Sequence, residues 1–275
     1  TFTLQLPFTK TSQQFLESST GSANDAPPMS DTELRILVVD DVEINRKLLK
    51  GQLESTGCHC FYAANGQEAI ELVQSQHIDL ILMDVHMPVM DGIQACQEIR
   101  AIGELNDLLI IGITANLDPV TREKCLAVGM NLVIGKPITQ QGLHNALRQA
   151  LNSSAVPISV TPSDSHVDCL NLALINEHRD ALGESKSAEL YGQAEESARA
   201  LISQIKNLDD SDAVQCADSA HALAGLCSNF GFVQLGQLAS ALETDCANSS
   251  RSQHLDIIRQ LDHCSATTFA QLAED

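Results

Sequence analysis

The side chains best suited to chemistry in this sequence stand at the ends of short apolar runs. Asp40-Asp41 follow LRILVV, Asp84 follows LILM, Thr114-Ala115 follow LLIIGI, and Lys136-Pro137 come just after LVI. If these runs are parallel strands of one sheet, their ends point the same way. Three carboxylates, a hydroxyl and an ammonium then meet in one crevice. Three carboxylates cannot share a site without a cation or raised pKa values. Lys136 supplies one positive charge, and a hard divalent ion with oxygen ligands, such as Mg2+, is the natural second. A carboxylate held between the two can act as a nucleophile toward phosphorus. Phosphoryl transfer then needs little beyond positioning and neutralisation of the equatorial oxygens, and Thr114 can donate a hydrogen bond to one of them. Each element alone has a plain reading: a helix N-cap at Asp40-Asp41, turns at Met87-Pro88 and Asp91-Gly92, a loop at Lys136-Pro137. Their joint order favours the crevice.

Two histidines bear on the same chemistry. His86 lies two residues after Asp84, a place that favours a backbone role over side-chain ligation. His221 lies mid-helix in DSAHALAGLCSNFGF. Its same-face neighbours, Ala217, Asp218, Ala224 and Gly225, are all short. Gly225 inside a helix costs about 1 kcal/mol relative to Ala. That cost makes sense if a partner must approach the imidazole closely. The other reading is a histidine beside an ordinary helix–helix contact.

The elements that must position these groups fall into two blocks. Polar, Pro- and Ser-bearing stretches at 9–33 and 152–168 read as linkers. They isolate a middle block at 34–151, a last block at 169–275, and an apolar segment at 1–8. In the middle block, runs from Leu34, Cys58, Leu80, Leu108 and Leu132 alternate with helical patterns such as Gly66 to Gln74 and Gly92 to Ala101. The central runs lack period-2 alternation, as strands buried on both faces do. Five such units predict an α/β doubly wound, five-stranded parallel sheet. The last block carries only helical patterns, near 170–181, 185–207, 212–229, 232–246 and 252–272. Leu190, Ala194, Ala198, Leu201 and Ile205 form a core-facing stripe. Short breaks between the patterns predict an all-α antiparallel helix bundle.

Composition narrows the function. Across 275 residues, 16 Lys+Arg stand against 36 Asp+Glu, a formal charge of -20. Such a surface does not neutralise phosphates, which argues against nucleic-acid binding and against docking on anionic lipid. No Trp, 2 Tyr and 7 Phe leave no stacking platform for bases. No apolar run approaches the ~20 residues that span a bilayer. The nine cysteines are scattered without metal or redox spacing and read as reduced core residues of a cytoplasmic protein.

The middle block resembles a response-regulator receiver domain, of the flavodoxin- and CheY-like fold. The shared pattern is Asp40-Asp41, Asp84, Met87-Pro88, Asp91-Gly92, Thr114-Ala115 and Lys136-Pro137. The resemblance implies that Asp84 is phosphorylated. It implies that Asp41 and Asp84 bind Mg2+ through side chains, His86 through its backbone carbonyl, and Asp40 through water. It further implies that Thr114, Ala115 and Lys136 contact the phosphoryl group. Many receivers carry Tyr or Phe three positions before the lysine, and here Val133 stands there. The last block, with a mid-helix His221 followed by Gly225 and Gly231, resembles a histidine phosphotransfer (HPt) domain. In that resemblance Ala217, Asp218, Ala224 and Gly225 form the docking surface around His221. Many members carry Lys where this chain has Ala224.

A receiver followed by an HPt domain resembles part of a tripartite hybrid sensor histidine kinase, and the bundle's helix pattern is similar to the trimethylamine N-oxide sensors. TFTLQLPF resembles the closing strand of a kinase ATP-binding domain. The resemblance implies a phosphorelay: an upstream phosphohistidine on the kinase core of the same parent, then Asp84, then His221, then a separate response regulator. The parent would be anchored in the inner membrane, with this chain making no membrane contact itself. Two other classes compete. An aspartate-nucleophile phosphatase would show DxDxT, which is absent. A degenerate receiver serving as a binding module would not retain Asp41, Asp84, Thr114 and Lys136.

Overall fold

The computed structural model describes residues 34–54, 56–152, 169–208, 212–246 and 251–273. The segment 1–8, the linker 9–33 and the second linker beyond Asn152 lie outside the described residues. The first block alternates β1 (Arg35–Val39), α1 (Glu43–Glu54), β2 (His59–Ala63), α2 (Gly66–Ser75), β3 (Leu80–Asp84), α3 (Gly92–Ala101), β4 (Leu109–Thr114), α4 (Pro119–Ala127), β5 (Leu132–Gly135) and α5 (Gln140–Leu151). All strand pairs are parallel, in the order β2-β1-β3-β4-β5. The doubly wound sheet expected from the apolar runs is therefore present.

Strand periodicity decides which helices cover which face. Leu37, Ile81 and Ile110 point into one core with Ala69, Val73, Ala95 and Ile99 of α2 and α3. Ile36, Leu80 and Ile111 point into the other with Leu49 and Leu53 of α1 and Leu143 and Leu147 of α5. Both faces are covered, which explains the unbroken apolar runs in the central strands. Side-chain caps start the helices on time. Asn65, Asp91 and Thr139 accept hydrogen bonds from backbone N–H groups in the first turns of α2, α3 and α5.

The second block carries five helices among its described residues, α6 (Leu172–Leu182), α7 (Glu184–Asn207), α8 (Ala213–Phe230), α9 (Val233–Cys246) and α10 (Arg251–Leu272), with a β-bridge joining Leu170 to Phe232. Its core gathers Leu190, Ala194, Ala198, Leu223, Phe230, Phe232 and Leu235. One expected core position shifts. Ile202 is buried with Ile205, whereas Leu201 only packs against the cluster's edge.

The two blocks dock. Ile44 and Leu48, on the face of α1 turned away from the sheet, join the helical core. A Cβ built on Gly51 would lie 2.8 Å from Leu182 Cδ2, so α1 meets α6 backbone-close. Polar contacts rim this apolar centre. Lys47 Nζ donates to Gln193 Oε1 at 2.9 Å, Gln140 N donates to Glu177 Oε1 at 2.9 Å, and Lys186 pairs with Glu54. Exposed pairs of this kind add little energy; the apolar burial of α1 holds the contact.

His178 gives the helical block a pH dependence. Its ring is 1 % exposed, bonds Tyr191 Oη through Nδ1 at 2.9 Å, and faces Phe230. Nε2 is buried without a partner. Burial pushes the imidazole down to about 4. The ring is therefore neutral in the fold but protonates near 6.5 when unfolded. Stability from this group is complete above pH 6.5, falls as the pH drops, and levels off below 4. By pH 5 the loss is about 2 kcal/mol. Asp40 and Asp41, both raised to about 6, change stability in the opposite sense and do so in both proteins, so urea denaturation at pH 7.5 and 5.0 should show the His178 loss as the difference between the native chain and His178→Gln.

Candidate functional site

The crevice is built by strand ends. β1 delivers Asp40-Asp41, β3 delivers Asp84, and the loop after β5 delivers Lys136. Carboxylate oxygens of Asp40, Asp41 and Asp84 all lie within 4.8 Å of one another. Lys136 Nζ, 2 % exposed, donates to Asp84 Oδ2 at 2.5 Å and to Asp40 Oδ2 at 3.1 Å. Burial works against its charge, but Asp40 and Asp84 hold the ammonium above the ordinary lysine range. Asp40 is pushed up to about 6 by burial and by Asp84, against the pull of Lys136. Asp41 is also pushed up to about 6, by burial and then by Asp40. Three carboxylates against one ammonium leave two formal negative charges. An all-oxygen donor set with that excess fits a hard divalent cation.

Local hydrogen bonds fix the carboxylates. Asp40 Oδ1 accepts from Val42 N at 2.9 Å and from Asn45 Nδ2 at 3.0 Å. Arg46 Nη1 donates to the carbonyls of Asp40 at 2.5 Å and Asp41 at 3.2 Å. The chain after Asp84 folds back so tightly that a Cβ on Gly92 would sit 2.2 Å from the Asp84 carbonyl oxygen. No other residue fits there, which gives the Asp91-Gly92 turn a steric reason. Val89, in the same loop, adopts φ +70, a strained conformation for a β-branched residue.

Thr114 and Ala115 follow β4 at the same edge. The Thr114 hydroxyl donates to Asn116 O and accepts from Asn116 N, both at 3.2 Å, within its own loop. Ala115 lines a cleft of about 440 Å³ with Pro137, Ala224 and Ser228, between the two blocks. Val133 is buried in the core beneath the sheet, so an aliphatic group fills the position three before Lys136.

His221 comes from α8 and faces this crevice across the docked interface. Its side chain is 19 % exposed, and its ring centroid lies 5.1 Å from that of His86. Gly225, one turn on, is where the receiving side approaches: a Cβ there would stand 3.4 Å from Lys136 Nζ. The atom facing Gly225 is the Lys136 ammonium nitrogen. Ala224 is buried in the helical core, Ala217 packs at its edge, and Asp218 is exposed.

Several participants were not foreseen. Beside its expected backbone role, His86 sets its ring obliquely against that of His221. Burial, and then the charge of His221, lower its pKa. Glu243 of α9 pairs with His221 Nδ1 at 2.8 Å. Burial opposes protonation of His221, but the Glu243 hydrogen bond and charge outweigh it and raise the pKa. Glu243 was findable: it lies twelve residues after the Gly231 turn, and His221 ten before, nearly level on paired helices. Asn45 carried a weaker signal, a polar residue beside Ile44 on a buried helix face.

Comparison with known proteins finds two families along the chain. The response regulator receiver domain family matches residues 36–148, and the Hpt domain family matches residues 189–272. Sensor histidine kinase AruS of Pseudomonas aeruginosa is 31% identical over 227 residues, 82% of this chain and 22% of that protein. Signal transduction histidine-protein kinase BarA of Escherichia coli is 26% identical over 233 residues, 82% of this chain and 25% of its own length. The chain thus spans about a quarter or less of these relatives. The solved receiver domain of another Pseudomonas aeruginosa sensor histidine kinase has a magnesium ion coordinated in its active site cleft. It is 35% identical, covering 44% of this chain and 99% of that one, with TM-score 0.42. A receiver domain and an Hpt domain in series, homologous to hybrid sensor histidine kinases through both, make this chain a member of the phosphorelay signalling proteins.

Proposed function

We propose that Asp84 receives a phosphoryl group from an upstream phosphohistidine and that His221 takes it from Asp84 within the docked chain. A separate response regulator would then receive it from His221. The carrying observation is the meeting of two sites: the His221 ring beside His86, and Gly225 beside the Lys136 ammonium that holds Asp84.

In the first step an Asp84 carboxylate oxygen attacks phosphorus, and the N–P bond of the donor breaks. In the second, the neutral His221 ring attacks in line through Nε2, since Glu243 holds Nδ1 and accepts its proton's hydrogen bond. The O–P bond breaks, and the departing Asp84 carboxylate returns to Lys136. Three carboxylates with two excess negative charges suit this crevice to Mg2+. Here Asp41 and Asp84 would hold it through side chains, His86 through its carbonyl and Asp40 through water. Bound there, Mg2+ supplies neutralisation of the phosphoryl oxygens. Thr114 and Ala115 would contact those oxygens once the Thr114 hydroxyl leaves Asn116.

The same face of α8 serves both transfers, so the receiver block must release before a downstream regulator can reach His221. The upstream kinase core and the membrane anchorage of the parent remain parts of this proposal. Among the described residues, no helix is long and apolar enough to cross a membrane.

The direct test is labelling with a small acyl phosphate, followed by mass mapping. Label on Asp84 and His221 with Mg2+, and loss of both signals on chelation, is the expected result. Label on other residues, or labelling indifferent to chelation, would overturn the reading. Gly225→Leu tests the interface separately. The substitution favours the helix by up to about 1 kcal/mol, so the bundle stays folded by circular dichroism. Its side chain must displace Lys136, and misplacement on this scale costs about 100-fold in transfer rate. Label should accumulate on Asp84 and reach His221 slowly in a single-turnover time course.

A further inference from the structure

Two thiols in the helical block meet where neither the relay nor the fold demands it. Cys216, in the second turn of α8, and Cys246, the last residue of α9, hold their sulfurs 2.9 Å apart, with Cys246 donating its S–H to Cys216. A disulfide needs about 2.0 Å between sulfurs and closely facing Cβ atoms, so less than 1 Å of closure separates contact from bond. Both residues are nearly but not wholly covered, Cys216 8 % and Cys246 7 % exposed. They sit at the open end of the α8–α9 pair, opposite the Gly231 turn. They also flank the functional pair: Cys216 lies five residues before His221, and Cys246 three after Glu243.

We propose that Cys216 and Cys246 form a redox modification site, in which a peroxide converts the thiol pair to a disulfide that staples α8 to α9 beside His221 and Glu243. The Cys216 sulfur, which accepts the hydrogen bond, attacks one peroxide oxygen as thiolate. The O–O bond breaks, hydroxide leaves and takes a proton to become water, and Cys216 becomes a sulfenic acid. The Cys246 sulfur then attacks the sulfenyl sulfur. The S–O bond breaks, and the second water departs with the proton of Cys246. Two thiols give up two electrons and two protons, and one hydrogen peroxide becomes two waters. Burial, and then the contact with Cys216, push the Cys246 thiol up to about 12, so Cys246 is not the sulfur that meets the peroxide first.

The test uses the whole chain, reduced and then treated with stoichiometric hydrogen peroxide. Non-reducing peptide mapping should find the Cys216 and Cys246 peptides joined with a loss of two hydrogens, reversed by dithiothreitol. The link closes about 30 residues of chain, so the melting midpoint should rise by roughly 5–10 °C over the reduced protein. Cys216→Ser and Cys246→Ser, each nearly isosteric, should lose both the link and the rise. A link between other cysteines, sulfinic acid at Cys216 without a link, or a rise that survives both substitutions would overturn the proposal.

Discussion

Asp84→Asn is expected to abolish phosphoryl loading of the whole chain, not of residue 84 alone. The amide keeps the shape and can still accept from Lys136 Nζ, but it offers no anionic oxygen to phosphorus. Loading by the upstream kinase should fall by at least about 100-fold, at the limit set by nucleophile removal. His221 should go unlabelled as well, since its phosphoryl group comes through Asp84. Fold stability should change little. Removing one partner of a buried ion pair is costly when the other is left alone. Here Lys136 keeps Asp40 at 3.1 Å, and Asp40 loses a repulsive neighbour. Kinase labelling with residue mapping, beside a urea titration, reads both effects. A variant that still carries label on His221 would show that the order Asp84 before His221 is wrong.

His221→Gln should separate the two halves of the relay. Asp84 sits in a crevice whose internal bonds do not involve His221, so it should load at a near-native rate. Onward delivery should drop at least about 100-fold, because glutamine supplies no imidazole nitrogen for in-line attack. Phosphoryl groups on Asp84 should then leave by hydrolysis alone. Their decay, followed with and without a purified downstream regulator, should become indifferent to the regulator. Undiminished delivery in this variant would assign the carrier role to another residue. His86, whose ring lies beside His221, is the first alternative to map.

Much of this was legible before any coordinates. Apolar runs without alternation specify strands covered on both faces, because a strand with one wet face cannot carry Leu, Ile and Val at every position. Residues at the ends of such runs must share one edge of a parallel sheet, which is why Asp40, Asp41, Asp84 and Lys136 could be grouped from sequence. The small residues around His221 likewise declared a surface open to approach. These are local signals, written in period, type and order.

What the tertiary structure alone decided concerns pairs without local signature. Ile44 and Leu48 belong to α1 of the first block, yet they are buried in the core of the second. Counting from the Gly231 turn sets Glu243 level with His221, but only the packed orientation of α8 and α9 brings its carboxylate to Nδ1. Gly225 announces room but not its visitor, which proves to be the Lys136 ammonium. Amphipathic pattern records that a side chain avoids water, and it is silent about which apolar surface does the covering. That choice belongs to shape and charge complementarity between surfaces far apart in the chain, and it is settled only when the two blocks meet.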